Sequence, residues 1–184
     1  MRRIVVMGGP GNGKSTLAAA LAERLGLVHI ELDGLFHVTD WESATAAEFR
    51  SSLVARMDAA PQGWAICGNY LSRAEDLHLA RADTVVWLDH ARPLVTWRTA
   101  KRTVRRAVTR QKLFGNEIRE PMRNFFRWAP EHNIIRWAWV HHPIYRERIP
   151  VHLARPALDH LTVHHLRTAE EVDEFLDSVP GSDR

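Results

Sequence analysis

Apolar residues in this chain fall into short β-branched runs separated by longer stretches with helical spacing. Ile4-Val5-Val6 leads through glycines into Ser15–Leu21, whose alanine and leucine content favours a helix that Gly26 ends. A second strand, from about Val28 to Leu32, delivers Asp33 and a loop with Phe36 and Trp41. Phe49, Leu53, Val54 and Met57 form the apolar face of a helix that stops near Pro61. A third strand, Trp64 to Cys67, runs into Gly68-Asn69-Tyr70, and a fourth, Thr84 to Leu88, ends at Asp89. Two or three helices are expected next, broken around Gly115 and at Pro130 and Pro143. A last strand, Leu161 to His165, meets a helix opened by Thr168 with Glu171 three residues on, a capping-box pattern. Five strands alternating with helices predict an α/β three-layer sandwich around a parallel sheet, because parallel neighbours need long crossovers. Ligands of such sheets sit at the carboxyl ends of the strands.

Composition narrows the class. The chain has 184 residues, the size of one domain, with 45% apolar and 26% charged residues, the balance of a water-soluble globular protein. No apolar run reaches bilayer length, and only four apolar residues separate Met1-Arg2-Arg3 from Gly8, so neither a membrane span nor a secretion signal is expected. A cytoplasmic protein is the expectation. Cys67 is the only cysteine, which excludes an intramolecular disulfide. Pro180–Arg184 has the composition of a frayed tail.

Charge changes the picture only when placed. Of 25 basic residues, eight lie between positions 90 and 116 with no acid among them: Arg92, Arg98, Lys101, Arg102, Arg105, Arg106, Arg110 and Lys112. One local anion-binding segment is expected, not a basic coat over the whole surface. Arg98, Arg102, Arg105 and Arg106 share a helical face, and such a row repels itself until an anion arrives. Arg119, Arg123 and Arg127 repeat the pattern and suggest a second wall of a lid; a solvated face or contacts to nucleic acid are the alternatives.

The most specific signal is Gly8-Gly9-Pro10-Gly11-Asn12-Gly13-Lys14-Ser15, which fits G-x-x-x-x-G-K-[ST] between a strand and a helix. Glycines let the backbone wrap an anion with its N–H groups turned inward, and the helix start adds its positive end. Lys14 is expected to reach the β and γ phosphates of ATP, and Ser15 to ligate Mg²⁺ through its hydroxyl. Glu31 and Asp33, two apart on an extended backbone, point to one side at the rim where an acceptor would lie. Asp33 is the expected base or hydroxyl-orienting group, its alternative being a turn with Gly34. Asp89 ends its strand as a Walker-B acid does, its alternative being a cap for a helix near Pro93.

Other signals are weaker. His141-His142 and His164-His165 are adjacent pairs that cannot chelate one ion from regular structure. Cys67 reads as a small core residue, and the seven tryptophans as helix-face core, while Phe36, Trp41 and Tyr70 sit in loops where they could stack on a flat substrate.

Through Gly8 to Thr16, Leu32-Asp33, Gly68-Asn69-Tyr70, Val86-Trp87-Leu88-Asp89 and Leu166-Arg167-Thr168, the chain resembles the small P-loop kinase-like proteins related to adenylate kinase, often labelled topology modulation proteins. That resemblance implies a core over residues 1–33, 61–100 and 157–179, an acceptor-binding insertion at about 34–60 and a helical lid at about 103–142. It casts Arg98 as a partner of the adenine ring, Arg102 as a phosphate ligand, and Arg167 and Thr168 as flanking the base. Relatives usually carry an aspartate before the third-strand glycine to order magnesium's water; here Cys67 stands there, leaving Glu31, Asp33 or Asp89 to take over. The expectation is an ATP- and Mg²⁺-dependent phosphotransferase acting on a nucleoside, nucleotide or other small hydroxyl compound, with Lys14, Asp33 and Arg102 at the reacting centre. The nucleotide would lie on Gly8, Gly9, Gly11, Asn12, Gly13, Lys14, Ser15 and Thr16, with Arg98, Arg102, Arg106, Arg167 and Thr168. The rivals are an ATP-dependent regulator of nucleic acid gripped by residues 92–127, and a nucleotide-binding protein without efficient catalysis.

Overall fold

In the computed structural model of the chain, which describes residues 1–39, 42–109, 129 and 133–181, the first strand already divides the molecule into layers. Side chains alternate along β1 (Arg3–Met7). Ile4 and Val6 therefore enter a core with Leu17, Ala18 and Leu21 of α1 (Lys14–Leu25) and Phe175 of α7 (Ala169–Ser178). Val5 and Met7 enter the opposite core. There they join Phe49, Leu53 and Met57 of α3 (Ala46–Asp58), Leu79 of α4 (Leu71–Arg81) and Ile149 of α6 (Ile134–Leu153). All four β1 side chains are fully buried, each contributing on the order of 1.5–3 kcal/mol.

The sheet has five strands in the order β2-β5-β1-β6-β7, with β2 at Val28–Glu31, β5 at Trp64–Cys67, β6 at Thr84–Leu88 and β7 at Thr162–Leu166. Every pairing is parallel. This is the expected three-layer α/β sandwich. From β1 the chain winds first to one side of the sheet and then to the other, so the carboxyl end of β1 lies at a switch point, where such sheets bind ligands.

Several elements depart from the sequence reading. The second strand stops at Glu31, and Leu32–Phe36 forms a short helix, α2. Glu31 and Asp33 are thus not on one extended backbone. The fully buried Leu32 turns the chain inward against Gly68, whose added Cβ would stand 2.9 Å from Leu32 Cβ. Beyond α2 an unanticipated antiparallel pair, β3 (His37–Thr39) and β4 (Glu42–Ser43), precedes α3. Thr45 and Glu48 start α3 with a reciprocal capping box.

Pro143 does not break its helix: α6 runs from Ile134 to Leu153 through both Pro143 and Pro150. A proline removes the donor to the carbonyl four residues back, here that of Trp139. Arg92 supplies the missing donor, its Nε lying 2.8 Å from the Trp139 oxygen and its guanidinium 3.9 Å over the Trp139 ring. One member of the basic run is thereby committed to structure. The tryptophans also divide: Trp64 and Trp87 are core, whereas Trp97 and Trp139 are exposed. Arg110, Lys112, Arg119, Arg123, Arg127, Trp41 and Trp128 lie outside the described residues, as do the expected break at Gly115 and most of the connection between α5 (Arg92–Thr109) and α6.

Candidate functional site

The turn from Gly8 to Gly13 joins the carboxyl end of β1 to α1. Its glycines are required by close contacts. Gly8 has φ 140°, and a Cβ there would stand 2.5 Å from the Leu88 carbonyl oxygen; at Gly11, φ 81°, a Cβ would collide with the Val95 carbonyl oxygen of α5. The first residues of α5 therefore rest directly on the turn.

Two asparagines brace it. Asn69 holds Gly8 from both sides, its Oδ1 accepting from the Gly8 amide and its Nδ2 donating to the Gly8 carbonyl, each at 3.0 Å. Asn12, a member of the expected binding turn, has its side chain buried within that turn. There its Nδ2 donates to the Gly9 carbonyl, and its Oδ1 accepts from the His90 amide. On the other side the Tyr145 ring of α6 closes over Gly9, 3.3 Å from where a Cβ would stand. His90 and Tyr145 were invisible as site residues in the sequence, and Asn69 stood out only within the Gly68-Asn69-Tyr70 motif with no role assigned, because each reaches the turn from a distant element.

Helix α1 starts differently from α3, α6 and α7. Those three are capped by side chains of Thr45, Asn133 and Thr168, whereas α1 has none and carries no acid in its first turn. Its leading amides, in Lys14, Ser15 and Thr16, take no side-chain cap, and the helix dipole favours a negative acceptor at that end.

Lys14 folds back over this turn, its Nζ donating to the Gly9 carbonyl at 3.1 Å. Burial of the ammonium lowers its pKa from the ordinary lysine value; the charges of Asp33 and Cys67 pull it back up, and that of Arg102 lowers it further. Asp33 and Arg102, both far from Lys14 in the chain, thus lie close enough to act on its ammonium. Asp33 itself is exposed, and one carboxylate oxygen accepts from the Tyr70 hydroxyl at 2.8 Å. Tyr70 takes a left-handed backbone, φ 34°, unusual for a side chain of its size. Phe36 and Tyr70, which could stack on a flat substrate by the sequence reading, pack with Phe49 in one aromatic cluster.

The groups beside Ser15 differ from a magnesium site. Its hydroxyl faces the Cys67 sulfur at 3.5 Å, and the sulfur lies 4.0 Å from Glu31 Oε1. Burial pushes the Cys67 thiol up to about 11. His29 completes a group in which imidazole, carboxylate and thiol donors all lie within 4.8 Å of one another. Magnesium demands hard oxygens in near-octahedral array, and a thiol with an imidazole does not meet that demand. Of the carboxylates expected to order magnesium's water, Asp33 is engaged by Tyr70. Asp89 is buried and takes Arg146 Nε at 3.0 Å and His165 Nε2 at 3.1 Å, not a helix N-terminus.

On α5 the buried stripe is Val95, Thr99, Thr103 and Ala107. Arg98, Arg102 and Arg106 follow the same four-residue step one position before each of the first three members' successors, along the border of that stripe. Arg98 and Arg106 are half-buried, and Arg102 and Arg105 are exposed. The Thr168 hydroxyl accepts from the Glu171 amide as the α7 cap, and the Arg167 amide donates to the Glu171 carboxylate. The Arg167 carbonyl meets His90 Nδ1 at 3.0 Å, and through His90 this corner is tied to Asn12 in the turn.

No family model matches the sequence, and no curated protein does. Among solved structures the chain is similar to a shikimate kinase from Acinetobacter baumannii in complex with shikimate, with a TM-score of 0.50 and 16% identity over 96% of this chain and 89% of that one. A sugar kinase from Janibacter gives a TM-score of 0.46 and 18% identity over 96% and 93% of the two chains. The first likeness is one of fold, a parallel α/β architecture. No helix among the described residues is long and apolar enough to cross a membrane.

Proposed function

We propose that this chain is an ATP-dependent phosphotransferase acting on a small hydroxyl compound. The observation that carries the reading is the uncapped start of α1. It follows a braced glycine turn at the sheet's switch point, and a desolvated Lys14 ammonium lies across the turn. Backbone amides from Gly8 to Thr16 would hold the polyphosphate. Lys14 and Arg102 would neutralise charge on the transferring group, which is where positioning and electrostatics lower the barrier to phosphoryl transfer.

Asp33 would orient the acceptor. With one oxygen held by Tyr70, its other oxygen is left to accept from the acceptor hydroxyl. That hydroxyl oxygen bonds to the γ phosphorus as the bond to the ADP oxygen breaks, and its proton passes to Asp33 or to water. Arg98, Arg167 and Thr168 are assigned to the nucleotide, as the resemblance to adenylate kinase-like proteins implies, Arg106 by its place on the same helical face, and Ser15 to a cation. The acceptor class is a nucleoside, nucleotide or other small hydroxyl compound, and residues 34–60 are its expected cover. That a kinase with a related fold holds shikimate agrees with a small hydroxyl acceptor.

The test is Asp33→Asn assayed with ATP against nucleosides, nucleotides and sugars. Turnover on a hydroxyl acceptor should fall by about 100-fold or more, the range of a general base, while ATP affinity stays within about twofold. A mild loss of turnover identifies a phosphate-oxygen acceptor, which needs no base. Equal loss of turnover and ATP affinity refutes the assignment.

A further inference from the structure

Strands β2 and β5 lie parallel, with His29 opposite Ala65 and Glu31 opposite Cys67. Ile30 and Ile66 face the core beneath α3, so the alternation of strand side chains sends His29, Glu31 and Cys67 to the other face, under α1. The register thus gathers three different metal-binding groups from two strands, next to the Ser15 hydroxyl. His29 Nε2 is buried and has no hydrogen-bond partner. A buried polar atom left this way is costly unless a ligand takes it.

We propose that His29, Glu31 and Cys67 form a binding site for a borderline-soft divalent cation of the zinc(II) kind, at the start of α1. Thiolate and imidazole select such ions over magnesium, and three protein ligands with one open position is the pattern of zinc sites that also bind a non-protein ligand. Ordinary zinc bond lengths place tetrahedral donors roughly 3.5 Å apart, so the present spread closes with movements of about 1 Å. As the sulfur–metal bond forms, the Cys67 thiol loses its proton to solvent, and thiolate plus carboxylate balance the charge of the ion. The fourth position is assigned to the Ser15 side, where the hydroxyl lies 3.5 Å from the Cys67 sulfur and a phosphate oxygen would complete the shell. That last clause rests on the proposed nucleotide site, whereas the three-residue site does not.

The experiment is titration of the nucleotide-free full chain with Co²⁺, a spectroscopically visible substitute. One ion per chain should bind with a thiolate-to-cobalt charge-transfer band and release of a proton, and Zn²⁺ but not excess Mg²⁺ should remove the band. Cys67→Ser should abolish the band. His29→Gln and Glu31→Gln, with circular dichroism confirming that each is folded, should each weaken binding at least about tenfold. A wild-type protein with no such band, or a band that survives Cys67→Ser, overturns the site. ATP added to the cobalt form should change its spectrum. An unchanged spectrum with ATP demonstrably bound overturns the phosphate contact, and failure of ATP to bind at all condemns the kinase reading while the metal site stands.

Discussion

Asn69 offers a direct way to weigh the bracing of the turn. Asn69→Ala removes both 3.0 Å hydrogen bonds to Gly8. At about 0.5–1.5 kcal/mol net for each, the loss of stability should be about 1–3 kcal/mol, toward the lower end because the contacts are only part-buried and water replaces them in part. If the turn must then be ordered by the nucleotide, the same energy is drawn from binding, and ATP affinity should fall by about 5- to 150-fold. Asn69→Asp separates the two bonds. It keeps an acceptor for the Gly8 amide but sets a carboxylate oxygen against the Gly8 carbonyl, so stability should fall at neutral pH. The loss should shrink as pH drops through the aspartate range and the carboxyl regains a proton to donate. Urea unfolding midpoints of the nucleotide-free proteins, with calorimetric titration of ATP, read both effects. An Asn69→Ala protein with the wild-type midpoint and undiminished ATP affinity would refute the reasoning.

The glycines of the turn make a contrasting pair. Gly13 has φ 90° with open space around a Cβ, so Gly13→Ala should cost about 1–2 kcal/mol of backbone strain alone, whereas Gly11→Ala also collides with Val95 and should cost about 1–3 kcal/mol more. Equal urea midpoints for the two variants would mean that α5 does not rest on the turn. Asp83 ties the chain start to β6 through the Arg2 and Arg3 amides and the Thr84 hydroxyl. Burial pushes its pKa up, but these hydrogen bonds outweigh it and leave the carboxyl below the ordinary aspartate value. Its stabilisation is therefore fully present above the unfolded-state pKa and lost as pH falls through the folded one. Asp83→Ala should cost about 1–3 kcal/mol at neutral pH, nearer the lower figure for a half-exposed group, and the gap to wild type should close in acid. A gap that stays constant with pH would contradict the assigned partners.

What the sequence disclosed followed the range of the interactions involved. The strands, the glycine turn before α1 and the α7 cap were legible because each is encoded within a few neighbouring residues, by β-branched runs, glycine spacing or a Thr-x-x-Glu step. Asp33 was placed at the right end of the sheet, but its expected alignment with Glu31 failed because burial of Leu32 ended the strand one residue early. Pro143 was expected to end a helix, and no local pattern could reveal that Arg92, 51 positions earlier, satisfies the carbonyl that the proline leaves without a donor. The grouping of His29, Glu31 and Cys67 exists only once β2 lies beside β5 in a particular register. Cys67 on its own read as a core residue, and it is one, with its sulfur also at the edge of the site.

The proposed activity requires the backbone nest from Gly8 to Thr16 to bind polyphosphate with the help of the Lys14 ammonium. Calorimetric titration of ATP into the wild-type chain and into Lys14→Met tests this most directly. Binding to the wild type should be saturable, with a loss of affinity of at least about tenfold in the variant, the worth of a charge-assisted hydrogen bond to phosphate. Absence of binding heat with any purine triphosphate, together with a variant that behaves as the wild type does, would contradict it.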